Sequence, residues 1–247
     1  MSKKKILSLC LVIALAAVAV LGGTLAYFTD TDSATNTMTL GNVNIVQLEK
    51  DKAGEDFNQN QPLMPAVYTT AIDGSNIVEN GWFNPAISNV IDKVITVENT
   101  GTEEAFVRTI IAFETKTECK EGTDEVLRDG KEIFDTYFGT LGSFTLLNRN
   151  TIKINGVEYV LAVCVYEKAL AADAETDPSL KQIFLAPTAG NEVTTLFGSE
   201  YTILALSQAV QTAGFGTAAE ALNAAFGDLE TIDEAILIEW LSAIPAA

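Results

Sequence analysis

The chain has 247 residues, with 15 Lys and Arg, 33 Asp and Glu, three Cys and no His. The lack of histidine excludes Ser-His-Asp and Cys-His nucleophile pairs and zinc helices of the HExxH type. A net charge of -18 opposes binding to nucleic acid, which depends on Lys and Arg that neutralise phosphates. We therefore expect no nucleic-acid partner. The apolar content of 48% predicts a globular domain with a substantial core.

The N-terminus carries the pattern of a secretory signal peptide. Three lysines at 3–5 precede the uncharged apolar run 6–21, and two glycines follow that run. The small side chains of Thr24 and Ala26 occupy the -3 and -1 positions of a signal-peptidase site. The pattern predicts export and cleavage directly after Ala26.

Cleavage before Tyr27 makes residues 1–26 the signal peptide and leaves a secreted mature chain. This step removes three lysines and no acid, so the mature chain has 221 residues and a net charge of -21. The alternative is an uncleaved membrane anchor, because the uncharged run continues through Phe28 and is long enough to span a bilayer.

The mature chain divides into a short polar segment and one large domain. Residues 27–37 are predicted to be a flexible N-terminal segment, and residues 38–247 a β-sandwich domain. Alternating apolar residues over 36–49, interrupted near Gly41, predict a strand with a bulge or bend.

Residues 50–89 differ in composition from the rest of the domain. They are rich in Asn, Gln, Gly, Asp and Pro, which predicts a long ordered excursion on the surface. Trp82 and Phe83 lie among these turn formers. We expect them to cover the core rather than to bind a ligand.

Most of the remaining domain has strand patterns. A hairpin is predicted from the β-branched runs 90–98 and 105–113 around a polar turn. A second hairpin is predicted at 151–155 and 157–167, because Asn155-Gly156 is a preferred type I′ turn. No regular helices separate these strands, so we expect an antiparallel sandwich. Further strands are predicted at 143–148, 181–186 and 200–211.

Helical patterns are few and mostly near the C-terminus. Residues 131–138 predict a short connecting helix. Thr217 with Glu220, and Thr231 with Glu234, form capping boxes, which predict short C-terminal helices within about 217–243. The apolar face of the second helix has two interpretations, core packing or an intermolecular contact. That face contains Ile232, Ala235, Ile236, Trp240 and Leu241.

Two single positions leave alternatives open. Cys119 and Cys164 remain after cleavage, and two cysteines are too few for a disulfide framework, so their pairing is undecided. Arg108 interrupts an apolar strand. Because burial of an unpaired guanidinium is costly, we expect Arg108 to face solvent and to pair with an acid on the neighbouring strand.

The signal junction resembles that of the TasA/camelysin family of exported Gram-positive proteins. In that family the signal peptidase SipW recognises an A-[YF]-F-x-[DS] junction, followed by a first strand of the form apolar-x-x-G-x-[LV]-x-[IV]. Here the junction is residues 22–30, GGTLAYFTD, and the strand is residues 38–45, MTLGNVNI. Stretches at 94–102, 106–108, 209–211, 214–215 and 220–222 are also similar to the family.

The resemblance implies a jelly-roll-like β-sandwich at the cell surface of a Gram-positive bacterium, where TasA-type proteins build biofilm-matrix fibres. It also implies that a signal peptidase of the SipW type processes the chain. An N-terminal strand is then donated to the sheet of the next subunit, which makes the chain itself, or related matrix subunits, the expected partners. The alternative for residues 27–37 is a frayed terminus. The implied assembly residues are Tyr27, Phe28, Met38 and Leu40.

The camelysin side of the family implies a metallopeptidase, which this composition does not favour. Zinc peptidase sites use two or more histidines, and an all-carboxylate site favours calcium or magnesium. We expect no enzyme activity and no cofactor. Weak calcium candidates are Asp30, Asp32 and Asn36, and a second acidic group comprises Glu121, Asp124 and Glu125.

Three functions are compatible with the sequence. The first is a secreted surface or biofilm-matrix structural protein that self-assembles, or is accessory to fibres, through strand donation. The second is a secreted camelysin-like metallopeptidase or another carboxylate-based hydrolase. The third is an uncleaved, membrane-tethered acidic binding module.

Overall fold

The computed structural model describes residues 29–32, 42–119, 126–128, 130–147 and 151–229, with the backbone alone at 29–32, 118–119 and 126–128. The signal peptide, Tyr27, Phe28, Asn36, Met38, Leu40 and the predicted helix after Thr231 lie outside these residues. Fourteen strands occur within the described part. They are β1 Thr29–Asp32, β2 Ile45–Lys50, β3 Val78–Glu79, β4 Trp82–Phe83, β5 Ile91–Asn99, β6 Ala105–Thr115, β7 Glu118–Cys119, β8 Val126–Arg128, β9 Phe138–Gly142, β10 Thr145–Leu146, β11 Ile152–Ile154, β12 Val157–Leu170, β13 Leu180–Leu185 and β14 Ile203–Gln211.

Three short helices connect or follow the strands in the described residues. They are α1 Gly130–Tyr137, α2 Asn191–Phe197 and α3 Ala218–Phe226. The first capping box is confirmed, since the Thr217 hydroxyl accepts from the Glu220 amide at 3.2 Å at the start of α3. The helix at 131–138 is confirmed as α1, whereas α2 was not predicted. None of the described helices has the length and apolarity needed to cross a bilayer.

The strands form two main antiparallel sheets, which confirms the predicted all-β class. Sheet I has the order β1-β14-β6-β12-β10, with β11 also paired to β12. Sheet II has the order β2-β5-β13-β9. Small two-stranded ribbons, β3-β4 and β7-β8, lie outside these sheets.

The two sheets share one hydrophobic core. Ile95 and Leu180 of sheet II belong to the same buried cluster as Ile111 and Phe113 of sheet I. All eleven residues of β6 are buried, because sheet II covers one face of this strand and α3 lies over part of the other. Full burial of an Ile or Phe side chain contributes about 1.5–3 kcal/mol, so this strand is the centre of the folded domain.

The predicted hairpin of 90–98 with 105–113 is wrong in its pairing. Both strands form, but β5 pairs with β2 and β13, whereas β6 pairs with β12 and β14. The turn between them crosses from one sheet to the other. The Asn99 side chain donates to the carbonyl oxygens of Glu103 and Leu170 at 2.9 and 3.0 Å. Two apolar runs around a polar turn occur both in a hairpin and in a turn that crosses between two sheets. The sequence pattern therefore does not distinguish the two connections.

The second predicted hairpin is confirmed. β11 pairs with β12, and Asn155 and Gly156 have φ values of 51° and 84°, as a type I′ turn requires. The strand expected over 36–49 is described only as β2. Strands expected at 143–148, 181–186 and 200–211 occur in shortened or shifted form as β10, β13 and β14.

The surface excursion covers the core as expected. Phe83 is buried, and its ring lies 4.8 Å from that of Phe184 in edge-on geometry. Trp82 is half-buried, with the ammonium groups of Lys52 and Lys181 at 4.7 and 5.4 Å from its ring centre. Both aromatic residues therefore pack against the domain.

Gly101 provides a test of the crossing between the sheets. A Cβ atom at Gly101 would overlap the carbonyl oxygen of Asn42 and would lie 2.8 Å from the backbone nitrogen of Asn44. We expect Gly101→Ala to lower the free energy of unfolding by about 1–3 kcal/mol, as overpacking does. Gly74 has no atom within 4 Å of such a Cβ, so Gly74→Ala should stay within about 0.5 kcal/mol. Urea unfolding measures both variants, and equal losses would contradict the close approach at Gly101.

The buried phenol of Tyr166 makes stability depend on alkaline pH. Burial raises its pKa to about 12, the neighbouring Cys164 adds to the shift, and the hydroxyl of Thr176 opposes it. An unfolded tyrosine ionises near pH 10. Between about pH 10 and 12 the folded state thus holds more protons than the unfolded state, so stability falls as pH rises through this window.

Tyr166→Phe removes this contribution, because phenylalanine does not ionise. We expect the variant to gain stability relative to the parent chain as pH rises from 9 to 11.5, measured by urea unfolding at each pH. Burial also raises the pKa values of Tyr159 and Tyr201, so part of the alkaline loss will remain in the variant. A stability difference that does not change with pH would contradict the assignment to Tyr166.

Candidate functional site

The N-terminal strand β1 closes one edge of sheet I. Thr29–Asp32 runs antiparallel to β14, with Thr29 opposite Val210 and Asp32 opposite Ser207. The strand begins two residues after Tyr27, the predicted first residue of the mature chain. β1 lies within the predicted N-terminal segment 27–37, so this part of the segment pairs with the edge of sheet I.

The edge of β14 under β1 is uncharged and buried. Its sequence, ILALSQAVQ, contains no charged residue and no proline, and the four residues opposite β1 are buried. Edge strands of this kind pair readily with another strand, because their backbone N–H and C=O groups need partners. β1 supplies those partners to residues 207–210.

Strand β14 is held in place without β1. It pairs along its whole length with β6. The Ser207 hydroxyl donates to the side-chain oxygen of Gln47 in β2 at 2.8 Å and lies 3.2 Å from the Thr109 hydroxyl. β14 is thus held by β6 within sheet I and by Gln47 of β2 in the facing sheet II. A strand that pairs with β14 therefore meets a preformed surface.

The connection after β1 is long enough to let the strand leave its own domain. Twelve residues separate Asp32 from Ile45, the first residue of β2. An extended chain spans about 3.3 Å per residue, so this connection reaches about 40 Å.

The calcium candidates are described only in part. Asp30 and Asp32 lie in β1, opposite Ala209 and Ser207 in the ladder, and Asn36 lies outside the described residues, as do Glu121, Asp124 and Glu125. Within the residues that the structure describes, no three or more Asp, Glu or Cys side chains are grouped so that they could hold a metal ion. The calcium site stays a prediction.

Two buried or half-buried acids have structural partners. Glu114 forms an ion pair with Lys116 at 2.9 Å and accepts from the Thr202 amide at 3.2 Å. Glu49 pairs with the buried Lys93. Each of these carboxylates is thus bound to a neighbouring strand or loop. The sequence does not predict the pair of Glu49 with Lys93, because it joins β2 to β5, which are distant in the chain.

Cys164 lies in β12 with a free, buried thiol. Burial raises the pKa of this thiol, with a smaller opposing contribution from Tyr166, so the thiol is less nucleophilic than an exposed one. The side chain of Cys119 is outside the described part. Among the described side chains, the Cys164 thiol forms no disulfide.

The prediction that Arg108 faces solvent and pairs with an acid on the neighbouring strand is wrong. Its side chain is 1% exposed and lies under α3, and the residue opposite on β14 is Gln208 rather than an acid. Arg108 Nε donates to Gln208 Oε1 at 2.7 Å, and Nη1 lies within 3.3 Å of oxygens of Asn223 and Gly227. Burial lowers the pKa of Arg108 to about 10, while Asp228 acts against the shift. The sequence does not predict this site, because α3 is distant from Arg108 in the chain and lies over the outer face of β6 only after folding.

No known protein-family model matches the chain, and neither curated proteins nor solved structures give a match. The resemblance to the TasA/camelysin family therefore stays a prediction from the junction and strand motifs.

The closure of the edge by β1 is testable by hydrogen exchange. A chain that begins at Met38 lacks β1, so the amides of residues 207–210 that face β1 should exchange about tenfold faster or more. Amides of β6 should keep their protection, because their partners in β12 and β14 remain. The substitutions Asp30→Asn and Asp32→Asn keep the backbone of β1 and serve as the control. Unchanged exchange at 207–210 in the shortened chain would contradict the pairing.

Proposed function

We propose that this protein is a secreted structural protein of the cell surface or biofilm matrix that assembles by donating its N-terminal strand. β1 of one subunit pairs with β14 of the next, in the register observed within the single chain. The partners are further copies of this chain or related matrix subunits. The observation that supports the proposal is the pairing of Thr29–Asp32 with an uncharged, preformed sheet edge.

Processing by the signal peptidase has a physical role in this proposal. Cleavage after Ala26 frees the backbone two residues before β1, so the strand is no longer tied to an apolar segment in the membrane. Addition of an extended segment to a sheet edge gains backbone hydrogen bonds. Each such bond contributes about 0.5–1.5 kcal/mol net, so a four-residue strand by itself gives a weak contact.

We also propose that the two sheets have a jelly-roll-like path. The pairs β1-β14, β5-β13 and β6-β12 are nested, so the first strand pairs with the last and inner strands pair in turn. A long antiparallel ribbon that wraps around a core produces this nesting. In such a wrap the first and last strands meet at one edge, which places the strand proposed to be donated beside its acceptor.

Electron microscopy of purified chains tests the assembly. The chain that begins at Tyr27 should form fibres, and the chain that begins at Met38 should stay monomeric, because it offers an acceptor edge without a donor strand. For the same reason, about one part of the shorter chain in ten parts of the longer chain should shorten the fibres. Fibres of the same form from the shorter chain, or a longer chain that stays monomeric at high concentration, would overturn the proposal.

Paired substitutions separate strand pairing from the other properties of the segment. In a strand, consecutive N–H groups point to opposite sides, so replacing both Asp30 and Thr31 by proline removes one N–H that bonds to β14. The matched control, Asp30→Asn with Thr31→Val, keeps both N–H groups. Fibres should be lost in the proline variant and kept in the control.

A further inference from the structure

A strip of apolar side chains on the outer face of sheet I is buried. The strip consists of Ile110 of β6, Leu161 of β12 and Leu206 of β14, which are 2%, 3% and 1% exposed. They share a cluster that contains no described residue of sheet II, so they lie on the outer side of sheet I. The outer face of an antiparallel sheet meets water unless another part of the chain covers it. The strip therefore needs a cover.

The described residues supply only the beginning of that cover. α3 packs nearer the start of β6, in a separate cluster with Phe106 and Val210. Among the described residues, every member of the cluster of the strip belongs to sheet I or directly follows β10, except Leu229. Leu229 is buried and is the last residue that the structure describes. The chain thus passes from α3 onto the strip, with 18 residues still to follow.

A groove of about 210 Å³ lies between α3 and the strip. Its described lining is mostly apolar and includes Leu222 of α3, Val163 and Val165 of β12, and Leu147 and Leu229. An apolar surface of this kind marks a place where another apolar surface binds. Because Leu229 lines the groove and also belongs to the cluster of the strip, the groove and the strip form one continuous surface.

We propose that the C-terminal segment 230–247 of the same chain covers the strip and the groove. The sequence predicts a helix after Thr231 whose apolar face has two interpretations, core packing or an intermolecular contact. The buried strip favours core packing within the chain. The residues that would pack on it are Ile232, Ala235, Ile236, Trp240 and Leu241.

The segment has the length that this surface requires. As a helix, residues 231–243 would measure about 20 Å, at 1.5 Å per residue. The strands β12, β6 and β14 are neighbours in sheet I, and neighbouring strands lie about 4.8 Å apart. The strip is therefore about 10 Å wide, so one helix of this length crosses it and also reaches the groove.

Two observations favour the segment of the same chain over a second copy or a lipid surface. Leu229 already lies on the strip, so the segment starts at the surface that it covers, and its effective concentration there is high. The segment contains four acids and no base, and the whole chain has a net charge of -18. Other copies and anionic lipids therefore repel it. This inference goes beyond the proposed fibre function and does not depend on it.

The fluorescence of Trp240 tests the proposal in the chain that begins at Tyr27. Trp82, the other tryptophan, is replaced by phenylalanine, which keeps an aromatic ring at that position. Acrylamide should quench Trp240 severalfold less in the chain than in the free peptide 230–247, and dilution should not change this protection. Quenching equal to that of the peptide would overturn the proposal. Protection that is lost on dilution would assign the surface to a second copy and would also overturn it.

A charge placed in the groove locates the contact. Val163→Glu puts a carboxylate on the surface that the segment covers, so the quenching of Trp240 should rise severalfold. Val67→Glu is the matched control, because Val67 is 63% exposed, and it should leave the quenching unchanged. Trp240 that stays protected in a folded Val163→Glu chain would place the segment elsewhere and overturn the proposal.

A charge in the segment tests the same contact from the other side and does not alter either sheet. Ile236→Glu should expose Trp240, and the uncovered strip should then bind the apolar dye ANS, whose fluorescence should rise severalfold over the parent chain. Ala246→Glu lies beyond the predicted helix and is the matched control, with no rise in dye fluorescence. A protected Trp240, or no gain of dye binding, in the Ile236→Glu chain would overturn the proposal even if Val163→Glu fails to fold.

Discussion

The burial of β6 on both faces and its pairing on both edges is the constraint on which the rest of the structure depends. Sheet II covers its inner face through Ile111 and Phe113, and α3 covers part of its outer face near Phe106. Strands β12 and β14 pair with it along its two edges. Every other strand of sheet I is positioned relative to this one, including the acceptor edge at β14.

That constraint also explains what the sequence predicted and what it missed. A strand buried on both faces has no alternation of apolar and polar residues, so the side to which Arg108 points cannot be read from its neighbours. Signals that act within a few residues were reliable: the Asn155-Gly156 turn and the Thr217 cap both formed. The partner of β5 depends instead on contacts far apart in the chain, which is why a crossing between sheets was mistaken for a hairpin.

Strand β1 is a second case in which the local sequence does not predict the structure. Its sequence, TDTD, contains two aspartates and no apolar residue, and aspartate is depleted in strands. Local propensity therefore favours a flexible segment, as the composition of residues 27–37 predicted. The segment is extended because the edge of β14 supplies hydrogen-bond partners. The edge of β14, and not the sequence of β1, therefore determines that residues 29–32 form a strand.

A donor with low propensity of its own is suited to exchange between chains. β1 has no apolar residue to contribute to the core, so departure of the strand removes none. Under the proposed function, the uncharged edge of β14 then needs a partner, and β1 of another copy is a chemically equivalent one. Closure within one chain protects the edge from unspecific pairing, and in the proposed assembly the weakness of that closure leaves the edge open to a second subunit. Under the proposed function, the acidic sequence of β1 therefore sets the balance between monomer and fibre, because it keeps the closed monomer from being too stable to assemble.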